Sequence, residues 1–194
     1  MSAPTKKVML GWHWLSEDRS LRFGDKAKVR TGRTLSADGA LSMCVNGMHA
    51  SPRALDALQY APGPIACRVE LIGERIDGGD KSVARSRRVL WMVDATKTLH
   101  EFACWCAEAG LKREREAGRE PDKRSWDAIS VKRRWLRGLA SDKELAAAWA
   151  AARAAAGAAA GAAARAAAGA AAGAAAGAEQ ERIFRAWLEG EPTK

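Results

Sequence analysis

Between Leu145 and Ala178 the chain is built from a four-residue unit, three alanines and one variable residue, and this tract constrains the fold more than any other feature. The variable position is filled in turn by Trp149, Arg153, Gly157, Gly161, Arg165, Gly169, Gly173 and Gly177. Alanine has the highest intrinsic helix propensity, so a helix is the ordered state such a tract predicts. Each glycine costs about 0.8–1.0 kcal/mol relative to alanine in a helix interior, which leaves the tract prone to fray in isolation. Four residues on a 3.6-residue turn advance by about 40° per unit, so the glycines spiral around the axis and cannot line one continuous seam. Run unbroken from Ser141 to Leu188, such a helix would reach about 70 Å at 1.5 Å per residue. The tract carries no nucleophile, acid, base or metal ligand, so any chemistry must come from the residues that precede it.

A chain of 194 residues has room for one modest core and an appendage. The hydrophobic content of 47% is inflated by alanine, which buries little area per residue, so the core must lean on tryptophan. Eight tryptophans are spread along the chain, and Trp12, Trp14, Trp91, Trp105, Trp126 and Trp135 precede the repeat. No apolar run near Met1 resembles a signal peptide, and outside the repeat no uncharged stretch reaches membrane-spanning length. Inside it, Arg153 and Arg165 would each cost roughly 2.5–3.5 kcal/mol at a bilayer centre. The reading is therefore cytoplasmic, with no membrane contact, and Cys44, Cys67, Cys104 and Cys106 are expected as reduced thiols.

Elements follow from hydrophobic period and punctuation. Val8 to Trp14 reads as a buried strand, Ala27 to Thr31 as a weaker one, and Ala40 to Val45 as a third closed by the Asn46-Gly47 turn. Ser51-Pro52 predicts a capped short helix to about residue 60 with Leu55 and Leu58 inward. Ile65 to Ile72 alternates, with Cys67, Val69 and Leu71 on one face and Arg68 and Glu70 on the other. Asp77 to Asp80 is a turn, and Arg88 to Val93 a strand. Helices are predicted from about Thr96, from a Ser125 cap to Gly138, and from the Ser141 to Glu144 capping box onward. Strands first and helices last point to an α+β protein, with a small mixed or antiparallel sheet domain over 1–110, a basic helical connector over 111–140 and an alanine- and glycine-rich helical arm over 141–194.

The block from Trp12 through Arg88 carries Cys44, Gly47, Met48, His49, Ala50, Ser51, Leu55, Leu58, Tyr60, Val69, Glu70, Gly73, Asp80 and Lys81 in an order that resembles an uncharacterised domain found in many phage and prophage proteins. In that pattern a cysteine precedes Gly-aromatic-His-Ala-Cys, followed by a Leu-x-x-Leu-x-Tyr helix, a Val-Glu-x-x-Gly strand and an Asp-Lys pair. Here Met48 stands for the aromatic and Ser51 for the second cysteine, which weakens a metal reading. The resemblance implies a phage- or prophage-type accessory protein with an alanine-rich helical tail. Residues 124–149 also resemble the alanine- and arginine-rich helices of a bacterial immunity-protein family, which implies a counter-defence or immunity role against a bacterial target.

Candidate site residues divide into two groups. His49, between a tight turn and a short helix, is the first candidate for acid–base work, and its bland alternative is a histidine that bonds the turn backbone. His13, flanked by two tryptophans, points away from them toward solvent or toward a groove shared with His49. The Gly47-x-His49-x-Ser51 pattern is similar to small ADP-ribosyltransferase-like domains, a resemblance that implies an NAD- or nucleotide-using enzyme with Glu70 or Glu74 as the orienting carboxylate. His100 and Cys104 share a helix face, but no Cys-x-x-Cys pair exists, so neither a metal nor a cofactor is expected.

The second group is for interaction. Ile183, Phe184, Trp187 and Leu188 recur at helical spacing and read as an anchor that docks the far end of the arm on another surface, through a protein partner or self-association. Arg133, Arg134 and Arg137 head a basic stretch that accounts for part of the net charge of +9. Acidic residues are interleaved with it, so nucleic-acid binding is possible but not favoured. The reading these features support is a non-enzymatic interaction module.

Overall fold

The computed structural model describes residues 8–22, 27–163 and 170–190, and their side chains except at 156–163 and 170–176. It has the α+β architecture expected, with strands before helices. The elements are β1 (Met9–Leu15), β2 (Thr34–Ser36), β3 (Met48–Ala50), α1 (Ala54–Leu58), β4 (Ile65–Asp77), β5 (Ser82–Asp94), α2 (Thr96–Glu116), α3 (Lys123–Leu136), α4 (Asp142–Ala163) and α5 (Ala170–Glu189). The chain divides into two compact units, Met1–Thr96 with Glu181–Lys194, and Lys97–Gln180. The sheet unit thus stops short of residue 110 and takes back the last turns of α5, which the sequence reading had assigned to a free arm.

In the first unit all strand pairings are antiparallel, in the order β1-β4-β5-β2, and β3 lies beside β2 along the same edge of β5. Directly after β3, Ser51 exchanges both backbone hydrogen bonds with Trp12, at 2.7 and 3.0 Å. Strands β1, β4, β5 and β3 therefore form a closed hydrogen-bonded circuit, which removes most of the free edge that a small sheet would otherwise expose. The long β4-β5 hairpin bends into this circuit at two register shifts, after Arg68 and after Ile72.

Register sorts β1 and β4 into two faces. Gly11, His13 and Leu15 stand opposite Val69, Cys67 and Ile65, whereas Trp12 and Trp14 stand opposite Arg68 and Ala66. The first face is the core, where Leu15, Ile65, Cys67, Val69, Leu71 and Val89 pack with Val29, Ala50 and Ala84. The second is equally buried, with Trp12 and Trp14 0% and 2% exposed. Their cover includes the end of α5: Phe184, fully buried, stacks on Trp14 at 6.0 Å and 6°. Glu181 accepts the amides of Ala54 and Leu55 at 2.8 and 2.9 Å, so α1 is capped by a residue more than 120 positions away. Ser51 is not at the cap position: α1 begins at Ala54 with Arg53 as its N-cap residue, which offers no side-chain bond, while Ser51 lies two residues earlier with its backbone paired to Trp12. Ala54 and Ala57, not Leu55 and Leu58, are the buried residues of α1.

Two other expected elements differ. Ala40 to Val45 is not a strand; the chain turns there, with Ser42 bridging Asn46 and the Asn46 amide donating to the carbonyls of Asp38 and Ala40. Around Ala27 to Thr31 only a single bridge, Ser20 with Lys28, is formed. The strand that the turn region does contain is β3, displaced past Gly47 to the residues of the Met48-His49-Ala50 motif.

The second unit is helical. Ser141 and Glu144 form the reciprocal capping box, with Ser141 N donating to Glu144 at 2.8 Å and Glu144 N to Ser141 Oγ at 3.2 Å. Helix α3 starts three residues earlier than expected, capped by Asp122 on the Arg124 amide, and is followed by Gly138, whose φ of +71° permits the closing turn. Whether the alanine tract is one continuous helix falls on residues 164–169, outside the described residues. Among the described residues no helix is long and apolar enough to cross a membrane.

Removing the Phe184 ring is expected to cost the first unit about 3–5 kcal/mol, since an aromatic side chain is deleted from a closed interface. Glu181→Gln, which keeps the shape but halves the acceptor capacity of the α1 cap, should cost about 1–3 kcal/mol. Both are read as shifts of the urea midpoint of the full chain.

Candidate functional site

The site is built by the segment that wraps from Asp38 to Ser51 and by the β4-β5 hairpin turn. Cys44 adopts φ +65°, a left-handed conformation rare for a residue with a Cβ, and Gly47 follows at +128°. A Cβ at Gly47 would collide with Val83, so only glycine allows β3 to lie this close to β5. The turn thereby points the Cys44 amide back at His49, which accepts it on Nε2 at 3.0 Å.

With Nε2 accepting this amide, the ring is the neutral imidazole. Burial lowers its pKa below the ordinary histidine value, with help from the Lys81 and Arg87 charges and against an opposing effect of the Gly47 backbone. His49 thus occupies the turn-bonding role set against the catalytic one.

His13 lies on the core face, opposite Cys67, and not on the solvent side. Its pKa is pushed well down, first by burial and then by the Arg87 and His49 charges. Arg87, 3% exposed, is the residue that sequence reasoning missed. Its Nη1 donates to the His49 carbonyl at 2.6 Å, its Nε has no partner among the described residues, and burial brings its pKa down to about 10. Cys67, beside it, is pushed up to about 12 by burial and stays a thiol. The signal for Arg87 was hidden because the strand was expected to begin at Arg88; β5 in fact begins at Ser82 and carries Arg87 opposite Leu71 and Leu35.

Around His49 the structure gathers other residues of the quoted motif. The Lys81 ammonium sits 3.9 Å from the Tyr60 ring centroid, and the neighbouring Cys44 side chain is the first cause of its raised pKa. Tyr60 donates to Asp80, which raises the phenol pKa, and Gln59 donates to the same carboxylate at 3.0 Å. The result is a partly exposed patch with a cation on an aromatic face beside a carboxylate.

Glu70 is not part of it. It lies on the tryptophan face of β4, opposite Leu10, and its carboxylate is held by Arg88 at 2.7 Å. Glu74 is likewise tied to Arg85 at 3.0 Å. An ADP-ribosyltransferase-like arrangement of His49 or His13 with Glu70 is therefore not assembled.

The interaction residues are also redistributed. Ile183, Phe184 and Leu188 are buried within the first unit, so they close its own core and are not an exposed anchor. Their spacing correctly marked a docking face, but the surface it fits belongs to the same chain. In the helical unit Arg133 pairs with Glu108 at 2.6 Å, Arg134 with Glu144 at 3.6 Å, and Arg137 Nε donates to the Arg133 carbonyl at 3.1 Å. Lys112, Arg115, Arg119, Lys123 and Arg124 each have a carboxylate within 2.8 Å. The basic stretch is thus largely neutralised, and Arg133 and Arg137 line only an open depression of about 330 Å³ with Trp126, Ile129, Ser130 and Glu108.

The histidine pair carries a pH signature. A histidine whose pKa is depressed by folding binds its proton in the unfolded chain first, so its stabilising contribution is complete above the unfolded value of 6.5 and is lost as the pH falls below it. Stability should therefore fall as the pH drops below 6.5, with His13 and His49 each limited to about 1.4 kcal/mol per pH unit. His13→Gln should flatten that slope in urea titrations at fixed ionic strength. Comparison of the chain with family models, with curated proteins and with solved structures finds no match.

Proposed function

We propose that the protein is a non-enzymatic interaction module, and that the phage- or prophage-type accessory role implied by the resemblance around Cys44 to Ser51 is its setting. The observation that carries this reading is the Cys44 amide bond to His49 Nε2, which commits that nitrogen to the turn. A histidine so held cannot take a proton from a substrate without breaking the turn that positions it. What the same turn leaves exposed is the Lys81–Tyr60–Asp80 patch, a rigid aromatic and charged surface of the kind that supplies binding energy at protein interfaces. An immunity or counter-defence role is one biological form of the same activity.

The test compares full-length variants. Tyr60→Ala with Lys81→Ala should lower stability by no more than about 1 kcal/mol, because Tyr60 is exposed and Lys81 only half-buried, and should abolish capture of the partner from lysates of phage-carrying bacteria. Calorimetric titration with NAD or nucleotides should give no binding heat. Turnover of NAD that disappears in Glu70→Gln would instead establish the enzyme reading.

A further inference from the structure

The core face of the first unit holds a charge that the chain does not answer. Arg87, 3% exposed, lies between Leu35 and Leu71, its register partners on β2 and β4, and its only hydrogen bond among the described residues runs from Nη1 to the His49 carbonyl. The other edge of the guanidinium, formed by Nε and Nη2, is left over, and Nε is fully buried without a partner. That edge is the one with which this chain holds carboxylates elsewhere: Arg115 holds Glu120, Arg119 holds Glu114 and Arg124 holds Asp122, each through Nε and Nη2 together at 2.6–3.0 Å. Those pairs are at the surface, where water screens them, whereas burial makes an unanswered charge at Arg87 costly. His13 belongs to the same cluster. It shares the core face of β1 with Leu15, opposite Cys67, and keeps accessible surface where Trp12, Trp14 and Leu15 are buried. Its ring takes no hydrogen bond among the described residues, and the Arg87 and His49 charges both reach it. Among the described residues no carboxylate acts on Arg87, His13 or Cys67. Donors therefore converge here with no acceptor for them beyond the His49 carbonyl, and His13 marks where the cluster meets solvent.

We infer that Arg87 and His13 form a binding site for a small oxyanion, a carboxylate or phosphate group, which the Nε–Nη2 edge of Arg87 holds side-on and His13 contacts at the solvent-accessible end. The planar fork of a guanidinium matches both groups in geometry as well as charge, a match that a spherical halide does not offer. The anion supplies what the fold leaves out, an acceptor for the buried Nε and a counter-charge for Arg87. The site stands independently of the interaction reading, since it uses the core face and not the Lys81 patch.

Thermal unfolding of the full chain, titrated with inorganic phosphate in one arm and acetate in the other, tests this, with sodium chloride holding the ionic strength constant. An oxyanion that binds the folded chain raises the unfolding temperature along a saturating curve, by about 5 °C or more at a hundredfold excess over its dissociation constant. General salting acts on every variant alike and does not saturate. Arg87→Met, which keeps much of the side-chain length without the charge, should lose the saturating response, and His13→Leu should weaken binding by about tenfold. The arm that saturates at the lower concentration identifies the head group. If Arg87 serves only to brace the His49 carbonyl, the parent shows no saturating response to either anion, and that result overturns the proposal, as does an equal response from Arg87→Met. Should Arg87→Met fail to fold, NMR of the nitrogen-labelled parent decides: the Arg87 Nε–H and His13 ring resonances should shift together and saturate at one anion per chain, and failure of either to move overturns the site.

Discussion

The contact on which the first unit depends is the one between Trp14 and Phe184, with Glu181 beside it. A closed circuit of strands this small has two faces to cover, and β1 places its largest side chains on the face that the strand circuit itself cannot enclose. Something apolar must lie on Trp12 and Trp14 or their area stays in water, at a cost of about 25 cal/mol for each Å². The last turns of α5 supply it, and because Glu181 reaches the Ala54 and Leu55 amides, the same segment also satisfies the start of α1. One helix end thus closes a hydrophobic face and a helix terminus together, which makes the residues after 180 part of the sheet unit and not an appendage to it.

The site depends on a different constraint, the tight passage from Cys44 to His49. Positive φ at Cys44 and Gly47, the Asn46 amide bonds and the His49 acceptor together hold a loop with little regular structure in one conformation. The imidazole works there as a backbone clamp, and the buried Arg87 below it holds the His49 carbonyl. Beside this turn Lys81, Tyr60 and Asp80 hold one another in a single arrangement, through the cation over the Tyr60 ring and the Tyr60–Asp80 bond. In the helical unit, by contrast, cations are answered by carboxylates a few residues away in the sequence, and a strongly basic composition produces a mixed surface.

Much of the local structure was legible because local chemistry decides it. The alternation of Ile65 to Ile72, the apolar run around Trp12, the reciprocal Ser141–Glu144 cap and the Gly138 stop each depend on neighbours a few residues away. Ala40 to Val45 misled because a β-prone composition was overruled by the Asn46 side chain, which bonds backbone carbonyls as a neighbouring strand would. The Ser51 cap failed because α1 begins later, at Ala54, while Ser51 is paired to Trp12. Of the site, His49 and His13 were visible as residue types, but their roles were not, since a neutral clamp and a catalytic base are the same residue until its hydrogen-bond partners are known.

The sequence by itself determined the α+β class, the helical nature of the alanine tract, the strand faces and the presence of an apolar helix end at Ile183 to Leu188, all through propensity and period acting over a few residues. Only the tertiary structure decided where that helix end docks, that His49 Nε2 accepts the Cys44 amide, that Glu70 faces away from His49 and that Arg87 lies inside. Apart from the His49 bond, those outcomes join residues scores of positions apart, and no local pattern carries the distance, the sign or the partner of a contact between them.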